Sequence, residues 1–122
     1  MAEGYDSTAS ANYSHAEGCQ TAATGLSSHA EGESTTASGD QSHVEGNGAT
    51  ASGDISHAEG NDTSARGDYS HAEGYATMTS GESSHVEGSD TYALGDASHA
   101  EGQGLIARSN FTIDGLANST TY

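Results

Sequence analysis

Ser56-His57-Ala58-Glu59-Gly60-Asn61-Asp62-Thr63-Ser64-Ala65-Arg66-Gly67-Asp68-Tyr69 is one copy of a unit that the chain repeats without a slip. Histidine stands at His15, His29, His43, His57, His71, His85 and His99, one every 14 residues, and each is preceded by Ser and followed by Ala or Val, then Glu, then Gly. With Ser as position 1, the unit reads S-H-[AV]-E-G-x-x-T-x-A-x-G-D-x over seven full copies, Ser14 to Phe111. It also carries a half-period: a hydroxyl residue opens each half (positions 1 and 8), Ala sits at 3 and 10, and Gly at 5 and 12.

A period of this kind marks stacked repeats, in which each unit buries its inner face against its neighbours and one narrow core runs through all of them. Residues two apart share a face of a β-strand. Each half is therefore expected to be a strand of about five residues closed by a turn, with Ser or Thr, Ala and Gly facing inward. An interior that thin has no room for Leu or Phe. A helix is excluded, because each of the two glycines per unit would cost about 1 kcal/mol in a helix interior. A seven-residue coiled-coil seam is excluded too, because Ala and Gly at the repeated sites offer no apolar stripe. The expected fold is all-β, a parallel β-roll or β-solenoid of 14-residue coils. Residues 1–13 read as a partial coil, 14–111 as seven full coils, and 112–122, which break the repeat with Ile113 and Leu116, as a C-terminal cap or tail.

Composition agrees once the repeat is recognised. Only ten residues are Leu, Ile, Val or Phe, and the formal charge is −16, a profile that without a period would read as disorder. Arg66 and Arg108 are the only basic side chains against 18 acidic ones, which removes nucleic acid and anionic membrane surfaces as partners. No apolar run reaches the length of a membrane span, so no membrane insertion is expected. Cys19 is alone and cannot form an intrachain disulfide. The opening Ala2-Glu3-Gly4 matches the middle of the unit, with Met1 in the histidine slot, so the chain reads as a soluble fragment of a longer protein.

The two outward faces differ. Positions 9 and 11 wander, through Ala22 and Thr24, Thr36 and Ser38, Ser64 and Arg66, to Tyr92 and Leu94, whereas positions 2 and 4 are His and Glu in every full copy. A solvated face tolerates drift between copies. The constant face is therefore expected to be buried against something of the same pitch, and a second copy of the chain is the simplest such partner. The predicted homotrimer interface comprises His15, Glu17, His29, Glu31, His43, Glu45, His57, Glu59, His71, Glu73, His85, Glu87, His99 and Glu101. Stacked Glu alone would make a ladder of like charges roughly 5 Å apart. Hydrogen bonding to the neighbouring His is expected to make it tolerable, and to raise the histidine pKa on assembly.

At these residues the unit resembles the head repeats of the YadA-like trimeric adhesins, whose coil reads N-S-V-A-I-G-x-x-S-x-A-x-G. Ser14-His15-Ala16-Glu17-Gly18, with Ala23 and Gly25 after it, follows the same frame, and the likeness runs to Phe111. The resemblance implies a left-handed parallel β-roll, a homotrimer, and a head or stalk segment serving cell-surface attachment. The Ser-His-Ala-Glu-Gly variant is also similar to repeats of phage and prophage tail-fibre and appendage proteins. What the resemblance implies is thus a structural or adhesive fibre segment, on a virion or at a cell surface, whose partners are itself and a cell-surface receptor or glycan. The departure is chemical: His57 and Glu59 stand where the family carries Val and Ile.

Other readings of the same residues are weaker. Stacked His suits Zn, Cu or Ni, so a metal- or ligand-binding module on the His/Glu face is the competing function. A His to Glu hydrogen bond accounts for the pattern without a metal, and neither metal nor cofactor is expected. His beside Glu also resembles an acid/base pair, but seven equivalent pairs contain no unique centre, so no enzyme is expected. Asp40, Asp54, Asp68, Glu82 and Asp96 each follow Gly. The G-G-x-G-x-D pattern of calcium-binding β-rolls is absent, and these residues are expected to cap their own turns. Met78, Tyr92, Leu94 and Ile106 make the variable face apolar toward its end, as a receptor or glycan contact or as ground for the cap. Tyr5, Tyr13, Tyr69 and Tyr75 fall at turn positions 6 and 14 and are expected to stack between coils or chains.

Overall fold

The computed structural model describes residues 1–108 and the strand Ile113–Asp114. Each coil contributes a long strand and a short one, as His57–Asn61 and Ser64–Ala65 do in the coil quoted above. Among the described residues, the long strands form one parallel nine-stranded sheet running from Ala2–Tyr5 to Ile113–Asp114. The short strands form a parallel eight-stranded sheet from Thr8–Ala9 to Ile106–Ala107. The register is coil on coil: His57 lies between His43 and His71, Ala58 between Val44 and Ala72. The chain is a β-solenoid with a 14-residue coil, and no helix occurs among the described residues.

The interior is as narrow as the repeat requires. Ala58 and Ala65, at positions 3 and 10, are fully buried, as are their equivalents in the neighbouring coils. Val44, Val86 and Leu105 are the largest side chains buried completely among the described residues. So little apolar area leaves cohesion to the backbone ladders between coils. Position 1 adds a second device: Ser56 Oγ donates to the Gly53 carbonyl at 2.6 Å, and Ser28, Ser42, Ser70, Ser84 and Ser98 repeat the bond to Gly25, Gly39, Gly67, Gly81 and Gly95. Each hydroxyl satisfies a turn carbonyl from inside the coil. Ser56→Ala, which deletes one such bond and leaves that oxygen with less than its share, is expected to cost about 1 kcal/mol in urea unfolding. A change within error would show that the hydroxyl contributes nothing.

Two details differ from the sequence reading. The halves are unequal, five residues against two, because the strand at positions 9 and 10 ends in a convergence of donors. Ser38 N–H and Gly39 N–H both donate to the Ala51 carbonyl, at 2.9 and 3.2 Å, and the chain turns there. Glycine at position 5 is also not part of the filling. Gly60 has φ of 114° and sits at the coil surface, its missing side chain directed along the stack and not inward. The interior is filled by Ser, Thr and Ala, with Val44, Val86 and Leu105 among them and the position-12 glycines at the corner.

Among the described residues the turns at positions 7 and 14 use left-handed backbone throughout, although most of these residues are not glycine. Ile55 has φ of 55° and Tyr69 of 60°. A β-branched side chain there is strained, and Ile55 is held by its N–H, which donates to the Asp40 carbonyl one coil before at 2.8 Å. At the far end Ile113 occupies the histidine slot and pairs with His99, and Asp114 pairs with Ala100. The long-strand ladder thus continues into the segment read as a cap, whose other residues, with Phe111 and the end of the seventh coil, lie outside the described residues.

Candidate functional site: the His and Glu ladders

The in-register long strands bring all fourteen predicted interface residues onto one face. Position 2 stacks imidazoles: successive ring centroids are 4.7 to 4.9 Å apart, and the planes of His57 and His71 differ by 2°. Stacking at the strand spacing lines up the seven Nε2 atoms beside the glutamates. His71 Nε2 lies 3.6 Å from Glu59 Oε1 and 3.9 Å from Glu73 Oε2, so one carboxylate comes from its own coil and one from the coil before. His43 reaches Glu31 at 3.5 Å and His99 reaches Glu101 at 3.5 Å.

These contacts are ion-pair distances, not the hydrogen bonds that the sequence suggests. All seven histidine Nε2 atoms are shielded from solvent and lack a hydrogen-bond partner, although the side chains keep about a third of their surface, 33 to 39% where paired with Glu. The reason is register. The His71 ring tip points between two carboxylates and the other six each reach one, and the carboxylates are themselves aligned Glu on Glu, as Glu45 is with Glu59. An open groove of about 1040 Å³ runs along this row between Glu31 and Gly102, floored by the position-5 glycines.

Carboxyls that close must share protons. Hydrogen bonds to the Glu59 and Glu31 carboxylates on either side raise Glu45 to about 7, with burial adding to the effect. In the same way Glu59 and Glu87 raise Glu73 to about 8. Their neighbours move oppositely: Glu31 is lowered by its hydrogen bond with Glu45, and Glu59 and Glu87 by theirs with Glu73. From Glu31 to Glu87 the direction of the shift therefore alternates along the row. His57 and His85 lie below the ordinary histidine value because burial, then the charge of the stacked imidazoles, outweighs the attraction of Glu59 and Glu87. Within one chain this reverses the direction expected of a histidine gaining a glutamate partner.

Other expected contacts are placed differently. Asp40, Asp54, Asp68 and Asp96 do not cap their own turns: Asp54 Oδ1 accepts from Asp40 N–H and Asp68 Oδ1 from Asp54 N–H, both at 2.9 Å, so each carboxylate clamps the coil before it. Asp40 does the same for Leu26, and Asp96 for Glu82. The signal was available, since a cross-coil clamp needs the same short acid at position 13 in consecutive units. Tyr5, Tyr13, Tyr69 and Tyr75 are 54 to 88% exposed, and no neighbour one coil away is aromatic; Tyr75 lies between Asn61 and Ser89. They do not stack within the chain. On the variable face Leu94 is exposed, while Met78, Tyr92 and Ile106 are half-buried.

No protein-family model and no curated protein matches the chain.

Proposed function

We propose that this chain is a stiff spacer or head segment of a homotrimeric fibre, a phage tail fibre or a bacterial surface adhesin, that supports attachment to a cell surface. The observation that carries the reading is the contrast between faces. His and Glu are constant and half-buried through seven coils on the long sheet, while the short sheet changes from polar to apolar. A single narrow stack with a core of Ala and Ser buries little apolar area for its length. Pairing its constant face with copies of itself supplies the missing burial. The role is mechanical: a rod of eight coils, roughly 35 to 40 Å long at the strand spacing, holds a tip at a distance, and three chains add avidity for a receptor or glycan. Seven equivalent His/Glu pairs make no unique catalytic centre.

Sedimentation equilibrium in metal-free buffer tests the assembly. The expected mass is three times that of the chain. A monomer across the accessible concentration range would remove the reason for the constant face and with it this proposal.

A further inference from the structure

We propose that the His/Glu ladder is a linear array of transition-metal sites, each taking a borderline divalent cation of the zinc type on imidazole nitrogen and the carboxylate oxygens beside it. At the centre His57 Nε2, a Glu59 carboxylate oxygen and His71 Nε2 all lie within 4.8 Å of one another, while His29, His43 and His85 each stand in such a group with two carboxylates, as His43 does with Glu31 and Glu45. Glu59 presents one oxygen to each ring, Oε2 to His57 at 3.8 Å and Oε1 to His71 at 3.6 Å. Zinc bonds imidazole nitrogen and carboxylate oxygen at about 2.0 to 2.2 Å, which separates ligand atoms of a tetrahedral centre by about 3.4 Å. The His–Glu pairs stand near that spacing before any ion arrives, whereas the two stacked rings, 4.7 Å apart, must tilt toward each other for both to bind one ion.

Three features make these donors ligands and not surface decoration. The Nε2 atoms are already withdrawn from water and make no competing hydrogen bond, so a cation displaces nothing from them. Stacking holds the rings within 10° of parallel from His15 to His85, which fixes the nitrogens at one pitch along the array. The carboxylates crowd one another in register, and a cation between them removes the like-charge repulsion. Imidazole nitrogen with carboxylate oxygen suits zinc, nickel or copper. They do not suit calcium, which takes six to eight oxygens.

Adjacent steps share a ligand: Glu73 lies 3.9 Å from His71 and 3.6 Å from His85, so His71 belongs to two steps. Two dications one coil apart would compete for that ring and repel across about 4.8 Å. Occupancy at alternate coils follows, giving about three cations per chain when like-charge neighbours are avoided. The sites lie within one chain and do not depend on trimerisation.

The test uses the untagged 122-residue chain, stripped with EDTA and titrated with zinc chloride in a calorimeter, with metal per chain counted after desalting. About three zinc per chain and a higher melting temperature are expected, with no shift on adding calcium chloride. The double variant His57→Gln, His71→Gln is expected to lose at least one equivalent while keeping the β circular-dichroism spectrum. Asp54→Asn with Asp68→Asn, on the separate aspartate row, is expected to retain full uptake. No binding heat and no melting shift in the natural chain would overturn the proposal, as would undiminished uptake in the histidine variant. Sedimentation of the same samples reads assembly separately, so a metal-free trimer and a metal-loaded monomer are distinguishable results.

Discussion

Gly60→Ala is expected to break the stack at its middle, lowering stability by at least about 3 kcal/mol and the melting temperature by 10 °C or more, since about 1 kcal/mol moves a domain of this size by roughly 4 °C. Two effects coincide at this residue. Its φ of 114° is a conformation that L side chains avoid, and an added Cβ would fall on the carbonyl oxygen of Gly74 in the next coil. That oxygen is backbone. It cannot move aside without opening the ladder between His57–Asn61 and His71–Tyr75. Because coils interact only with their neighbours, one broken interface separates the rod into two shorter stacks with unsealed ends. Thermal unfolding followed by circular dichroism checks this against Ser80→Ala, an exposed position expected to stay within about 0.5 kcal/mol. An unchanged melting temperature in Gly60→Ala would mean that the coils are not stacked in this register.

In metal-free protein the melting temperature is expected to fall as pH rises from about 5.5 to about 8.5, through protons held by two carboxyls. Glu45, raised to about 7, and Glu73, raised to about 8, keep in the folded state a proton that the unfolded chain releases near 4.5. Their contribution is full below 4.5 and is lost as pH climbs through those two values. His57 and His85 act oppositely: lowered below 6.5, they contribute above 6.5 and lose that contribution as pH falls through their folded values. Glu31, Glu59 and Glu87, lowered from 4.5, make acid destabilising below that value. The large shifts are the two upward ones, so the alkaline limb dominates and the best stability lies in mildly acidic solution.

Glu45→Gln with Glu73→Gln separates this mechanism from a histidine one. The amide keeps a donor toward the flanking carboxylates and has no proton to lose, so the fall between pH 6 and 9 is expected to flatten. A steep fall that survives in the double variant would assign it to other groups, and a flat profile in the natural chain would refute the shared-proton ladder. The direction matches what the repeat suggests for a His/Glu seam. The responsible atoms do not, because the in-register glutamates bond one another while the imidazoles lose more to burial than they gain from charge.

How far the repeat could be read follows from what a period contains. Identical residues 14 apart in a parallel stack must lie over one another, so His57 above His43, the buried Ala58 and Ala65, and the shared His/Glu face were all legible in the one-dimensional pattern. Small interior residues and the absence of Pro left no competing fold. An i, i+2 alternation, however, assumes ordinary extended backbone. Where φ turns positive at Gly60 the alternation fails, and a residue read as core filling becomes a point of contact between coils. The short second strand depends on two N–H groups converging on the Ala51 carbonyl, and the reach of Asp54 to the coil before it depends on side-chain aim. The unpartnered Nε2 atoms depend on angle as well: spacing placed His and Glu together, but only the three-dimensional structure shows the ring tips at ion-pair distance from the carboxylates without a hydrogen bond. Periodicity specifies which residues meet. The sign of a torsion and the direction of a lone pair decide what they do when they meet.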